Sequence, residues 1–415
     1  MNEVNTEHSG VKESDVTKNK IKAIIAYTAR VVALTTASGP LMQTFLSALG
    51  FESGLIYLHS SILQAISFIG ILLFSGFASD GSPIKRAAFS LIPAGILFFA
   101  YLPIAVVRDA TPITYVLLIA VGTVQQLSVC LFTVNDYKMP YYVYRPEEYG
   151  VVLSVCGIVS SLFSLGSGAL ISAMTLKYDF VTVMNVAFGI SAVLIGVASV
   201  MTLLQKSLIG ESEYKENKSE VKSVSLIALL KNPVFTALIS ANFLRGFSTG
   251  IIGVLATVAL SLGYTESLTA AMVSAQSVSS LIACGLFAAL AKKVSPSKML
   301  MSGSIVAALL PVLLVSGEAV YISFFTAITL GKTLIDYSVP ALLIGIVPKD
   351  IAGPYHALRM VLQNAGAFIA VTVAAVMPVG ALLILTSLIQ LVSGVSFCAV
   401  NRKIRSSKRE MEKNI

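Results

Sequence analysis

Tryptophan is absent from this chain and charge is scarce: Asp, Glu, Lys and Arg make up 12% of its 415 residues, where a soluble domain carries about 25%. With 56% hydrophobic residues and a mean hydropathy of +0.84, a soluble globular protein is excluded. Without an indole, interfacial anchoring falls to tyrosine and the basic side chains. Cysteine is sparse too. Cys130, Cys156, Cys284 and Cys398 lie in hydrophobic runs, and no metal-ligand spacing ties them to His8, His59 or His356; they read as buried apolar thiols. There is no Gly-rich P-loop with its lysine, so no ATP site is implied. No His/Asp/Glu cluster gathers on one membrane face, which argues against an enzyme, and no sizeable soluble domain suggests a sensor. No cofactor is expected.

What remains is hydrophobic runs. A helix needs roughly 20 apolar residues to cross the hydrocarbon core, and twelve such spans can be drawn, at 22–49, 54–78, 87–107, 113–143, 149–173, 180–204, 233–262, 267–291, 298–316, 319–347, 353–378 and 379–401. Residues 1–21 form a polar tail without the apolar stretch of a secretory signal, and read as disordered and cytosolic. Residues 205–232 are rich in Glu and Lys and form a cytosolic linker, and 402–415 a basic cytosolic tail. The expected fold is all-α: a six-helix bundle at 22–204 and another at 233–401. With the first tail inside, the outer loops hold only Arg108 and Lys177 of the 29 basic residues. That asymmetry predicts a plasma-membrane protein with both termini in the cytoplasm. It also accounts for the net charge of +8 without nucleic acid.

The two halves carry the same marks in the same order. Leu49-Gly50-Phe51 returns as Leu262-Gly263-Tyr264, an offset of 213 (263 − 50), and Ser82-Pro83-Ile84-Lys85 returns as Ser295-Pro296-Ser297-Lys298 at the same offset. Asp136-Tyr137-Lys138-Met139-Pro140 returns as Asp336-Tyr337-Ser338-Val339-Pro340. Duplicated bundles can rock about a shared central site, so the repeat implies transport of a small molecule.

Between the second and third spans, Gly76-Phe77-Ala78-Ser79-Asp80-Gly81-Ser82-Pro83-Ile84-Lys85-Arg86 resembles the loop motif of the major facilitator superfamily, with Gly81 and Pro83 where that motif has arginine and glycine. The resemblance implies two six-helix bundles alternating access to one site, acting as a monomer, and a latch role for Asp80. The fourth span lacks the arginine of many proton-coupled members, and the fifth lacks the glycine-proline pair of drug antiporters. The expected activity is secondary active transport of a small organic solute driven by a proton or solute gradient; a drug or metabolite efflux antiporter is the alternative.

A charge at the bilayer centre costs roughly 2.5–3.5 kcal/mol on insertion scales, so intramembrane charges mark pathways or pairs. Arg30 in the first span and Arg245 in the seventh occupy matching helices with no acid on either helix, which suggests a bidentate site for an organic anion. The pair resembles the arginines of organophosphate/phosphate antiporters, although it lies about one turn nearer the cytosol. Arg30 could instead snorkel to the headgroups. Gln126 and Asn242 are further candidates for hydrogen bonding the substrate. Lys332 and Asp336, four residues apart, share a helix face; with Arg359 and with Asp136 they are candidates for a gate or a proton site, or for static ion pairs.

Overall fold

The computed structural model describes residues 13–77, 82–136, 139, 143–144, 146–207, 231, 233–290, 293–315, 317–344 and 352–413. The helices are α1 (Glu13–Thr36), α2 (Gly39–Ala48), α3 (Ser53–Phe77), α4 (Pro83–Val107), α5 (Pro112–Asp136), α6 (Pro146–Met174), α7 (Phe180–Leu203), α8 (Pro233–Gly253), α9 (Leu255–Ser261), α10 (Glu266–Leu290), α11 (Pro296–Ala307), α12 (Glu318–Ile344), α13 (Ala352–Ala374) and α14 (Val379–Lys413), with a 3-10 turn at Leu310–Val315 after α11. Among the described residues ten helical spans are long and apolar enough to cross a membrane, eleven with the bent pair α8–α9. α13 falls on the remaining expected span. Asp80 and most of the 205–232 linker lie outside the described residues.

Helix α1 begins at Glu13, nine residues (22 − 13) before the first hydrophobic run. Its first turns are held by the end of the sixth span: Asn19 Nδ2 donates to the Lys206 carbonyl (2.8 Å), Asn19 Oδ1 accepts from Lys206 N–H (2.9 Å), and Lys22 Nζ donates to the Leu204 carbonyl (2.5 Å). These bonds satisfy carbonyls and amides that the end of α7 leaves without helical partners. At the other extreme, α14 continues through residue 413, so most of the expected basic tail extends the last helix.

Two of the three repeated tags have the same structural task in both halves. Gly50 (φ +97°) and Gly263 (φ +85°) take the left-handed conformation that stops a helix. Gly50 N–H bonds Ser47 C=O and Phe51 N–H bonds Leu46 C=O; Gly263 N–H bonds Leu260 C=O and Tyr264 N–H bonds Ala259 C=O. Both are Schellman motifs, with glycine where a Cβ would be strained. Ser82-Pro83 and Ser295-Pro296 each place an extended serine at the N-cap and proline in the first turn, where the missing N–H costs nothing.

Helix pairings repeat as well. In the first half α1 packs on α6 and α7, α4 on α5 and α7, and α3 on α5; in the second, α8 packs on α13 and α14, α11 on α12 and α14, and α10 on α12. Substituting span for span, the two sets are the same, as two pseudo-symmetric six-helix bundles require. Side-chain placement is that of a lipid-embedded protein. Large apolar residues such as Ile96, Phe99, Phe163, Val193 and Leu388 are exposed, while Thr36, Gln43, Thr44, Ser248, Thr257 and Ser279 are buried. An apolar rim this extensive belongs against hydrocarbon, and hydrogen bonds between helices occupy the interior.

Without a hydrophobic driving force inside a bilayer, close backbone approach holds helices together. A Cβ on Gly246 would stand 2.0 Å from the Gln363 carbonyl oxygen, and one on Gly250 2.7 Å from that of Ala367. Gly246→Ala is therefore expected to force α8 and α13 apart at a cost of about 3 kcal/mol, read as a large fall in the melting temperature of detergent-purified protein. Gly285→Ala, where a Cβ meets nothing within 4 Å, should leave it unchanged.

Candidate functional site

Between the bundles lies a cavity of about 410 Å³, within the range of small-molecule sites. The first span contributes Leu34, Ser38, Gly39, Met42 and Gln43; α3 contributes His59, Ser60, Leu63, Gln64, Ser67 and Ile71; α5 contributes Gln125, Gln126, Val129, Cys130 and Thr133. From the second half come Gly250 and Gly253 of α8, Val254, and Met360, Asn364 and Val371 of α13. Among the described residues, none that line the cavity is Asp, Glu, Lys or Arg. The wall alternates apolar side chains with neutral donors and acceptors.

Two broken helices frame this space. The first span breaks at Ser38-Gly39-Pro40, with Gly39 at φ +62° and proline opening α2. The seventh bends by 44° between α8 and α9. A break leaves carbonyls before it and amides after it without helical partners, and Gln43 supplies both from the opposite half. Its Nε2 donates to the Gly253 carbonyl (2.6 Å), and its Oε1 accepts from the Thr257 N–H (3.0 Å) and hydroxyl (2.9 Å). Thr44 and Thr269 share a hydroxyl hydrogen bond one residue further on, and Ser61 and Thr372 share another. These bonds tie the two halves together at the end of the cavity remote from Glu13 and Lys413.

On the other side, among the described residues, stand three ion pairs in two groups. Arg30 Nη1 lies 3.2 Å from Asp136 Oδ2, with its guanidinium 4.1 Å from the Phe132 ring centroid and 5.2 Å from that of Tyr27. Arg245 bonds Asp336 and donates to Gln363 Oε1 at 3.3 Å. Lys332 Nζ reaches the second Asp336 oxygen at 2.8 Å. Thus the arginine of the first span and the aspartate of the fourth pair in each half. The geometry is graded by exposure: the Arg245 side chain is 7% exposed and that of Asp336 32%, against 13% for Arg30 and 44% for Asp136. Leu34, four residues beyond Arg30, and Thr133, three before Asp136, both line the cavity. Residues at those spacings share a helix face, so the Arg30–Asp136 pair lies one turn from the cavity. Outside the spans, Asp179 caps α7; the Thr182 hydroxyl and amide, with Arg108 beside them, hold its carboxyl below the usual carboxylate range.

The residues singled out in the sequence divide accordingly. Gln126 lines the cavity and donates to Ser67 Oγ at 2.7 Å. Asn242 is fully buried, gives its Nδ2 to the Leu238 carbonyl at 2.8 Å, and is not among the lining residues. Arg30 and Arg245 do not line the cavity either; α1 carries Glu13 and Asp15 only in its first turn, far from Arg30, and it is Asp136 and Asp336 that reach the two arginines from the fourth spans. Arg359 is buried on α13 with Nη2 4.0 Å from Met360 Sδ, and the ion pairs of Asp336 among the described residues are with Arg245 and Lys332. Gln43 and His59 were not singled out as site residues. A lone polar residue in an apolar run was the only signal either offered.

Two repeated six-helix bundles enclosing a polar cavity, with an apolar outer surface, define a membrane transporter of the major facilitator type. The chain belongs to the MFS_1 like family, whose sequence pattern matches residues 31–369. No curated protein sequence matches it. Among solved structures it is similar to a bacterial homologue of the iron transporter ferroportin in an inward-facing state, with a TM-score of 0.67 at 13% identity over 94% of this chain and 100% of the other. It is also similar to the nucleoside transporter NupG, with a TM-score of 0.65 at 14% identity over 92% and 99%. At these identities the likeness is one of fold.

Proposed function

We propose that this protein is a secondary active transporter that carries a small, uncharged, hydrogen-bonding organic solute across the plasma membrane by alternating access. The cavity carries the reading: its wall offers neutral donors and acceptors, and both arginines that would attract an anion already hold carboxylates. In this reading residues 22–204 and 233–401 are the rocking bundles, 205–232 is the linker, and the terminus-bearing end faces the cytosol, as the basic residues favour. The hydrogen bonds around Gln43 then close the extracellular side, and the half-exposed Asp136 and Asp336 line the cytosolic opening.

An organic anion remains a second reading, favoured by one observation. Asp136 is 44% exposed and among the described residues its ion pair is with Arg30, so an incoming carboxylate or phosphate can take its place on the guanidinium. Thermal stabilisation separates the two, because a ligand of the folded state raises its apparent stability with concentration. Stabilisation by sugars or nucleosides but not by organic acids or sugar phosphates is expected; the reverse would establish the anion reading.

Coupling is assigned to Asp136. A proton arriving there releases Arg30 one turn from the cavity, linking titration to occupancy. Asp136→Asn should abolish gradient-driven accumulation in proteoliposomes while keeping exchange of labelled for unlabelled solute, since exchange needs no titrating carboxylate. Intact pH-driven accumulation would assign the coupling elsewhere.

A further inference from the structure

The cavity holds one buried group whose hydrogen-bonding capacity is unspent. His59, on α3, lines the cavity and is 1% exposed, yet its Nε2 has no hydrogen-bond partner among the described residues. Three glutamines of the wall are engaged within the protein. Gln43 holds the helix break, Gln126 bonds Ser67, and Gln125 accepts from the Tyr101 hydroxyl at 3.2 Å. A buried polar atom without a partner costs about 1–3 kcal/mol, so native proteins seldom keep one without a use.

We propose that His59 Nε2 is the specificity-determining contact for the transported solute. It offers its hydrogen bond to a hydroxyl or amide-type group of an uncharged molecule whose apolar face rests on Leu63, Val129 and Met360. A neutral imidazole presents one donor and one acceptor nitrogen, so it pairs with a neutral polar group without bringing an unbalanced charge into the cavity. Across from it, Asn364 on α13 lines the same cavity, so a solute held by both would touch both bundles. A solute bridging the halves can bias which of the two conformations is populated. This inference rests on the uncharged-solute reading above, and it adds the residue that does the recognising.

The test uses purified full-length protein and its melting temperature against uridine, adenosine, glucose and myo-inositol, with succinate and glycerol 3-phosphate as anionic probes. At least one uncharged probe should stabilise the native protein. His59→Ala should need about tenfold more of that probe for the same shift, the effect of losing one good hydrogen bond. His59→Gln, which keeps a donor and an acceptor, should fall between. Where His59→Ala lowers the yield, ring-labelled histidine in a His8→Gln/His356→Gln background leaves His59 as the one imidazole. Its nitrogen resonances should then move with the uncharged probe and stay fixed with the anions. An uncharged probe that binds native protein and His59→Ala equally would overturn the role of His59 and leave the uncharged-solute reading standing. Stabilisation by the anions alone, or by no probe, would overturn both.

Discussion

Asp336→Asn is expected to remove most of the folded protein from the membrane fraction. Asp336 holds two cations, Arg245 and Lys332, and its loss leaves the Arg245 guanidinium, with a side chain 7% exposed, facing an amide that cannot neutralise it. Breaking a buried pair from one side costs roughly 3–5 kcal/mol; with Asp336 itself 32% exposed, about 3 kcal/mol is the fitting figure. That is a large part of the net stability of a typical domain. Arg245→Gln with Asp336→Asn should recover most of the yield, because no deeply buried charge is stranded, and the two substitutions should couple strongly in a double-mutant cycle. A melting temperature for Asp336→Asn near that of the native protein would show that the pair is not structural. Asp136→Asn, with one ion-pair partner among the described residues and greater exposure, should cost roughly 1 kcal/mol and fold well enough to be assayed.

Gln43→Leu should have the largest effect on conformation. It deletes three hydrogen bonds between the halves and returns the Gly253 carbonyl and the Thr257 amide to an unsatisfied state. At about 1 kcal/mol for each net bond, about 3 kcal/mol in all, the balance between the two accesses should move by roughly 150-fold toward opening on the extracellular side. Ser38, exposed and lining the cavity, can report it. A cysteine there, in a background lacking the four native ones, should react slowly with an impermeant maleimide from the extracellular side and far faster once Gln43 is leucine. Unchanged reactivity would mean that Gln43 only braces the broken helix and does not hold the gate.

The spans were legible because transferring charge into hydrocarbon is costly, so long uncharged runs stand out without any structure. The tags at Gly50 and Gly263 were legible as a repeat, and their cause is local: a Schellman motif needs glycine at that one position. The start of α1 was not legible, because Asn19 and Lys22 are held by residues at 204–206, far along the chain. Nor was the pairing of Arg30 with Asp136, which are 106 positions apart. Spacing shows which side chains share a helix face, as it did for Lys332 and Asp336, and says nothing about which helices face each other. The break at Gly39-Pro40 had a visible signal in the dipeptide. The break at Gly253 had a lone glycine, and its repair by Gln43 follows only from the way the halves meet.

Paired spin-label distances across the two ends of the molecule test alternating access most directly. Lys85→Cys with Lys298→Cys reports the terminus-bearing end, at equivalent exposed positions in the two Ser-Pro tags. Glu52→Cys with Glu318→Cys, also exposed, reports the opposite end. Pulsed dipolar spectra of the native protein and of Gln43→Leu should change in opposite senses: the Glu52–Glu318 distance lengthens in the variant and the Lys85–Lys298 distance shortens. Distances that stay fixed at both ends, or lengthen together, would contradict two bundles rocking about a central site.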